Sequence, residues 1–311
     1  MKIHFIHSVS YSTKQFSYHA IHIKFSDGDL QVAKAYRDGG CAQLAVSRAK
    51  HLQALNEEAA KWNTCPGVIL MLDVGDLREG VDSIPELVDL ARLCEALPHL
   101  RLRGVGTSLA CLNGVLPTYE NLTFLVEGAE AVEEAIGRKL EIISGGSSIN
   151  LLLMRDGINQ MPPRINHLRL GGSIANPMNM RLGRNFTYPG LREDSLRLTA
   201  EIVEIHEKAS APKGGSHQNW AGETVTREDK GRRLRAILAL GSQDIGDAAT
   251  LLPMDSGVEI VGCSSDHTIV DLTDSVLPRK SGDTLSFKVR YANMLYAFSG
   301  NHVDIAYHDD F

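Results

Sequence analysis

The most constraining feature of the sequence is a change in the spacing of its apolar residues near residue 190. Before that point, short apolar runs alternate with segments of helical periodicity, in steps of roughly 30 residues. Strands joined by helical crossovers pair in parallel, and runs that are apolar throughout are typical of strands buried on both faces. The runs are AIHIK (20–24), AQLAV (42–46), VILMLDV (68–74), LRGVGTS (102–108), EIISGG (141–146) and NHLRLGG (166–172).

After residue 190 the apolar residues alternate with polar ones, which predicts antiparallel strands with no helices between them. The segments are SLRLTAEIVEIHEK, RRLRAILALG, GVEIVGCSSDHTIVDLTD and TLSFKVR. We therefore predict an α/β domain over residues 1–195 and an antiparallel β domain over residues 196–311. A complete (β/α)8 barrel takes about 250 residues, so we expect a modified TIM-type barrel of six or seven strands.

Composition narrows the classes of protein that fit. Lys and Arg number 32 against 38 Asp and Glu, a net charge of -6, which argues against a general nucleic-acid binder. The five cysteines are scattered without a CxxC pair, which favours a reducing compartment and no zinc ribbon. No apolar run approaches the roughly 18 residues of a membrane span, and the N-terminus does not resemble a signal peptide. We expect a cytoplasmic protein.

Polar residues stand where the predicted parallel strands end, the edge that carries active sites in such folds. Lys24 closes the first run, where it either reaches solvent or lies in a cavity with a lowered pKa and forms a Schiff base. Asp73, Asp76 and Arg78 follow VILMLDV. Arg169 lies within NHLRLGG and needs either an anion or acceptor at this edge or a structural carboxylate such as Asp73.

The turn after EIISGG offers an anion site. Two glycines let the backbone approach a ligand, and the amides of Ser147 and Ser148 open the segment SSINLLLMRD. The alternative is that one of these serines only caps a helix. With Lys24 and Arg169, a phosphate turn suggests pyridoxal phosphate, which needs an amine, an anion site and a ring-nitrogen partner. An arginine partner would keep that nitrogen unprotonated, which suits simple proton removal and return.

Other polar features carry weaker predictions. Cys263 and His267 are two metal-ligand types without a third, so we expect no metal. His217 lies in the glycine-rich loop 212–223. The basic stretch TREDKGRRLR (226–235) is interpreted as a solvated strand edge rather than a nucleic-acid patch.

Several stretches together form a specific combination, although each alone is weak. In order they are KFSDGDLQVAKAYRDGGCAQLAVSR (24–48), VILMLDVGDLREG (68–80), GVGTSLACLNGVLPTYENL (104–122), IISGGSS (142–148), INHLRLGGSI (165–174), RRLRAILALGSQDI (232–245) and VEIVGCSSDHTIVDLTD (258–274). The combination resembles the alanine-racemase-like, fold-type III pyridoxal phosphate enzymes, most closely their ornithine racemase group. The resemblance covers most of the chain.

The resemblance implies a role for each matching residue. Lys24 stands at the Schiff-base lysine, and Arg169 at the arginine facing the pyridine nitrogen. Arg78 matches the arginine that reaches the phenolic oxygen of the cofactor and the substrate carboxylate. The remaining matches are Ser147, Ser148 and Gly171 at the phosphate, and Ser265 and Asp266 in the segment that the β domain of a homodimer partner inserts into the active site.

The chain departs from the family pattern at three places. The N-terminus before Lys24 does not resemble the family's usual opening strand and helix. The segment between Arg48 and Val68 is short, where the family has two further βα units. The family's second base is a tyrosine, and the aligned loop GGSHQNWAG (214–222) contains none. His267 or His217 is the expected substitute, with Asp266 beside His267.

The resemblance thus predicts a pyridoxal phosphate-dependent racemase that exchanges the α-proton of an amino acid between two bases, with an ornithine-like or lysine-like substrate. Two alternatives stay open. One is a decarboxylase of the same fold. A decarboxylase would need a protonated ring nitrogen, and Arg169 counts against that because an arginine partner keeps the nitrogen unprotonated. The other is a relative that binds the cofactor without catalysis because of the shortened segment.

Overall fold

The chain divides into two compact units. The computed structural model describes residues 43–154, 158–188, 191, 193–214, 218–300 and 302–306. The units are Met1–Ser173 and Ile174–Phe311, whereas the predicted boundary at residues 195 and 196 lies further along the chain. Residues just after 174 bond within the second unit: Asn176 Nδ2 donates to the Val289 carbonyl at 2.8 Å, and Asn179 Oδ1 accepts from the Tyr291 amide at 3.1 Å.

The described part of the first unit contains a five-stranded parallel sheet, with its strands side by side in chain order. The strands are β1 (Gln43–Val46), β2 (Gly67–Met71), β3 (Arg101–Gly106), β4 (Ile142–Ser147) and β5 (His167–Arg169). The helices are α1 (Ala49–Lys61), α2 (Ile84–Ala96) and α3 (Tyr119–Ile136), and a 3-10 helix (Ser148–Leu153) follows β4. The predicted alternation is confirmed for these strands. The run 20–24 lies outside the described residues.

Local chemistry explains where these elements begin and end. All five residues of β2 are buried, as in a strand covered on both faces. Thr118 and Asn121 form a capping box at the start of α3, because the Thr118 hydroxyl accepts from the Asn121 amide at 3.2 Å and the Asn121 side chain accepts from the Thr118 amide at 2.9 Å. Gly137 ends α3 at a φ of 71°, a left-handed conformation that favours glycine.

The short segment between Arg48 and Val68 forms one complete crossover. β1 pairs in parallel directly with β2, with Gln43 opposite Gly67 and Val46 opposite Leu70. Helix α1 bridges the two strands and buries Leu52, Leu55 and Ala59, which lie on one helix face. The segment that departs from the family pattern therefore joins two hydrogen-bonded strands without leaving a gap between them.

The second unit is built on a six-stranded antiparallel sheet in the order β8-β11-β6-β7-β10-β9. Its strands are β6 (Leu198–Ala209), β7 (Arg232–Leu238), β8 (Leu252–Pro253), β9 (Glu259–Cys263), β10 (Thr268–Asp271) and β11 (Thr284–Lys288). Period-two alternation is clear in β6, where Leu198, Ala200 and Ile202 are buried and the residues between them are exposed. These side chains join Phe287 and Leu238 in the core of the unit.

The expectation that no helices lie between the strands of this unit is wrong. Short helices α4 (Gly172–Ala175) and α5 (Met178–Arg184) precede the strands, and helix α6 (Ser242–Ile245) and a 3-10 turn (Ala248–Thr250) lie between β7 and β8. Helix α7 (Tyr291–Ser299) follows β11. Turns this short are set by single contacts, such as the Gly241 amide donating to Asp244 Oδ2 at 2.9 Å, and leave no periodicity. None of the helices in the described ranges is long and apolar enough to cross a membrane.

Residues 232–235 of the basic stretch 226–235 belong to a strand that is not at the sheet edge, whereas residues 226–231 precede it and are exposed. This strand, β7, lies inside the sheet between β6 and β10. Arg233 donates to Asp271 on β10 at 2.9 Å and also to Asp274, and Arg232 pairs with Glu207 on β6 at 3.3 Å. The arginines are accommodated inside the sheet because neighbouring strands place carboxylates opposite them.

Candidate active site

Arg78 lies in the loop that follows β2, at the carboxyl edge of the parallel sheet. Its Nη2 donates to the Ser108 hydroxyl, just beyond β3, at 2.7 Å and to Glu79 Oε1 at 2.5 Å. The side chain is mostly buried, and its Nε has no hydrogen-bond partner among the described residues. The guanidinium is thus held against the next loop while part of its donor capacity stays unused.

Arg169 ends β5 at the same edge. Its Nη2 donates to the Thr107 carbonyl at 2.6 Å, and its Nη1 lies 3.4 Å from the Met71 sulfur, a weak acceptor. Desolvation by burial lowers the pKa of Arg169 to about 10; the Glu79 carboxylate opposes this effect and the neighbouring Arg78 adds to it. The structure thus places Arg169 against a carbonyl and a thioether.

The suggested structural carboxylate for Arg169, Asp73, lies in its own turn instead. Asp73 Oδ1 accepts from the Gly75 amide at 2.7 Å and the Leu77 amide at 3.2 Å. In the described part of the chain no ion pair joins Arg169 to a carboxylate. Of the two explanations for Arg169, the one that used Asp73 is wrong, and the Thr107 carbonyl is an acceptor at this edge, as the other explanation required.

The serine turn after β4 joins the β5 loop. The Ser148 hydroxyl accepts from the Gly171 amide at 3.3 Å and from the Ser173 amide at 3.0 Å. Ser147 is the N-cap residue of the 3-10 helix, and its amide donates to Asn150 Oδ1 at 3.1 Å. The capping alternative therefore stays open for Ser147, whereas the Ser148 hydroxyl is used by the β5 loop.

Glycine is required in this turn. Gly146 has a φ of 135°, and a Cβ added there would lie 2.4 Å from Asn150 Oδ1. Asn150 Nδ2 also donates to the Gly145 carbonyl at 2.8 Å, which folds the turn onto the asparagine. The turn is fixed in shape before any ligand binds.

The donors at this edge fit a phosphate-bearing pyridine cofactor. The hydroxyls of Thr107 and Ser173 are buried and have no hydrogen-bond partner within the described ranges. Ser148, which accepts two amides, can still donate its own proton. Hydroxyls and amides suit a phosphate, and a guanidinium suits an unprotonated ring nitrogen. Lys24, the predicted amine, lies outside the described residues.

The remaining predicted residues lie in the second unit, on an exposed turn between β9 and β10. The Ser264 amide donates to the His267 carbonyl at 2.7 Å, and the His267 amide donates to the Ser264 hydroxyl at 3.1 Å. Within this turn the Ser265 hydroxyl donates to Asp266 Oδ2 at 2.8 Å, and all three side chains from Ser265 to His267 are exposed. His217 lies outside the described residues.

Sequence reasoning assigned no role to three residues that the structure brings to this edge: Asp76, Thr107 and Ser173. Asp76 is fully buried and accepts four backbone amides of the loop after β3. The only sequence signal for this loop-holding role is the second aspartate of LDVGD. The signal is weak, because the first aspartate, Asp73, accepts amides only within its own turn.

Comparison with known proteins identifies the family. A family model described as the alanine racemase N-terminal domain matches residues 21–175, a range that contains all five described parallel strands. The chain belongs to the alanine racemase family.

Among curated proteins, the chain is similar to two amino-acid racemases. It is 37% identical to an ornithine racemase of Acetoanaerobium sticklandii over 81% of this chain and 70% of that protein. It is 36% identical to a lysine racemase of Thermotoga maritima over 77% of this chain and 65% of that protein. The matched region thus spans about two thirds of the length of these relatives.

Solved structures give the fold. The alanine racemase of Streptomyces coelicolor A3(2) superposes with a TM-score of 0.59 at 18% identity, over 89% of this chain and 72% of that one. The predicted fold class, a barrel-type α/β domain followed by an antiparallel β domain, is confirmed.

Proposed function

We propose that this chain is a pyridoxal phosphate-dependent amino-acid racemase. The observation that supports it most is Arg169, which ends a barrel-type strand with no carboxylate partner in the described part of the chain. A guanidinium facing the ring nitrogen would keep that nitrogen unprotonated and favour proton removal and return over decarboxylation. When bound, the cofactor supplies an electron sink that acidifies the α-proton of the amino acid.

In this proposal Lys24 and the residues at the carboxyl edge share the tasks of the site. Lys24 Nζ anchors the cofactor and exchanges the α-proton on one face. Ser147, Ser148 and the turn at Gly171 bind the phosphate, with the serine hydroxyls as donors, and the buried hydroxyls of Thr107 and Ser173 extend the donor set. Arg78, held by Ser108, binds the substrate carboxylate through its remaining donors.

The second face of the α-carbon needs its own base. We assign it to the exposed turn Ser265–His267, supplied by the β domain of a second copy in a homodimer. His267 would exchange the proton, Asp266 would orient it, and Ser265 would contact the substrate. His217 is the alternative base.

The substrate class follows from the relatives alone. Because an ornithine racemase and a lysine racemase match most of this chain, we propose an amino acid that carries an amine on its side chain. A cytoplasmic location stays a prediction.

The test follows α-proton exchange by NMR in D2O with a panel of L-amino acids and added pyridoxal phosphate. We expect exchange with ornithine or lysine, loss of exchange in Lys24→Ala, and retention in Lys61→Ala, which removes an exposed lysine of α1. Exchange that survives in Lys24→Ala would refute the assignment of the base. Cofactor binding without exchange of any amino acid would favour the inert alternative, and release of CO2 would favour the decarboxylase.

A further inference from the structure

The carboxylate of Asp76 is buried beneath the loop that follows β3. Its Oδ2 accepts from the amides of Cys111 at 3.0 Å and Leu112 at 2.9 Å, and its Oδ1 accepts from those of Asn113 at 3.3 Å and Val115 at 3.2 Å. The Asn113 side chain returns a bond to the Asp76 carbonyl at 2.7 Å. One side chain thus organises loop 111–115; we call this set of bonds the Asp76 clamp.

The Asp76 clamp depends on an ionised carboxylate. Burial by itself would raise the pKa of Asp76, but the four backbone amides outweigh it and hold the pKa below its usual range. Each carboxylate oxygen accepts from two backbone amides. An asparagine at this position would therefore point its NH2 group, a donor, at two of those backbone N–H groups.

Both loops joined by the clamp carry a non-glycine residue in the left-handed region. Leu77, directly after Asp76, has a φ of 53°, and Ala110, directly before Cys111, also has a φ of 53°. Such conformations cost about 1 kcal/mol or more and persist only where surrounding bonds over-determine them. The turn at Leu77 leaves that side chain exposed and directs the chain so that Arg78, the next residue, is mostly buried.

Arg78 and Asp76 contact the same neighbouring segment. Arg78 bonds Ser108 on its amino-terminal side, and Asp76 holds loop 111–115. We propose that Asp76 is a positioning residue: its clamp fixes the β2 loop against the β3 loop and thereby sets the place of the Arg78 guanidinium. This inference rests on the proposed function, in which Arg78 binds the carboxylate of an α-amino acid.

The test compares Asp76→Asn with Asp73→Asn. Asp73 is a matched control because it accepts both of its amides on one oxygen, Oδ1, which asparagine retains. For Asp76→Asn we expect the KM of the amino acid to rise about tenfold with a change in kcat below about threefold, the order expected when a charge-assisted bond is misplaced. Asp73→Asn should change KM less than about twofold.

A second measurement needs no bound cofactor. Cys111 and Cys65 are both exposed thiols outside any disulfide. Thiol labelling of the apo protein should accelerate several-fold at Cys111 in Asp76→Asn, because its amide is released, and stay unchanged at Cys65. If Asp76→Asn does not fold, Asn113→Ala, which removes only the bond to the Asp76 carbonyl, should give the same pattern at smaller amplitude.

The outcomes separate the two hypotheses. A wild-type protein that exchanges no amino acid refutes the proposed function, whatever the labelling rates. An active wild type with an unchanged KM in Asp76→Asn, or with equal effects of Asp76→Asn and Asp73→Asn, refutes the positioning role. Equal labelling of Cys111 in wild type and variant refutes the clamp.

Discussion

Glu133 is a buried carboxylate in the last turn of α3, and replacing it tests how the first unit is held together. Its Oε1 accepts from Arg164 at 2.6 Å and from the Leu140 amide at 3.0 Å, and its Oε2 accepts from Lys139 at 2.7 Å. These bonds tie α3 to the segment before β4 and to the segment before β5. Glu133→Gln keeps the shape but turns an amide NH2 toward cationic donors.

The size of the effect follows from the pKa. Burial alone would raise the pKa of Glu133, but bonds from Arg164, Lys139 and the Leu140 amide lower it from 4.5 to about 2. At about 1.4 kcal/mol per unit, the ionised group stabilises the folded state by roughly 3 kcal/mol at neutral pH. Because the folded pKa is below the unfolded one, this stability is present above about pH 4.5 and is lost as the pH falls toward 2.

The assay is urea unfolding followed by tryptophan fluorescence. The chain has two tryptophans, Trp62 in the first unit and Trp220 in the second, so a Trp220→Phe background makes Trp62 report on the first unit. In that background we expect Glu133→Gln to lower the free energy of unfolding by roughly 3 kcal/mol at pH 7 and by about 2 kcal/mol at pH 3.5.

The matched control is Glu130→Gln, an exposed carboxylate one turn earlier that lies 3.9 Å from the same Arg164. It should cost less than about 0.5 kcal/mol, as exposed pairs do. A loss in Glu133→Gln that matches the control, or one that does not shrink as the pH falls, would refute the reasoning that the ionised carboxylate carries this stability.

Two further predictions concern two glycines and a buried cysteine. Gly137→Ala should lower the free energy of unfolding by about 1 kcal/mol, because a φ of 71° disfavours alanine although no atom lies within 4 Å of the added Cβ. Gly183→Ala, inside α5 and without a positive φ, should raise it by about 0.5 kcal/mol. Shifts of the same sign in thermal unfolding would contradict this. Burial raises the pKa of the Cys94 thiol in α2 to about 12. At pH 8 a thiol reagent should therefore modify Cys65 and Cys111 and spare Cys94 in the folded protein. If mass spectrometry finds Cys94 labelled as fast as Cys65 and Cys111, Cys94 is not buried.

Local patterns predicted the architecture well. Runs buried on both faces, such as VILM in β2, and the alternation in β6 report which faces of an element are covered, and this information is present in neighbouring residues. The end of α3 is also a local property, because Gly137 acts through its own backbone conformation. The short helices α4 to α6 left no such trace, since single contacts fix them. The sequence showed that the segment between Arg48 and Val68 is shorter than in the family. It did not show that this segment forms a single crossover between two paired strands.

The sequence by itself determined the two fold classes, the candidate phosphate turn and the family of the chain. The tertiary structure decided which polar side chains meet. It placed Arg169 on the Thr107 carbonyl rather than on Asp73, joined the Ser148 hydroxyl to the Gly171 and Ser173 amides, and gave Asp76 a loop more than 30 residues away. The physical reason is range: periodicity records burial of a local face, whereas a hydrogen bond between loops depends on the register of strands that sequence spacing does not encode.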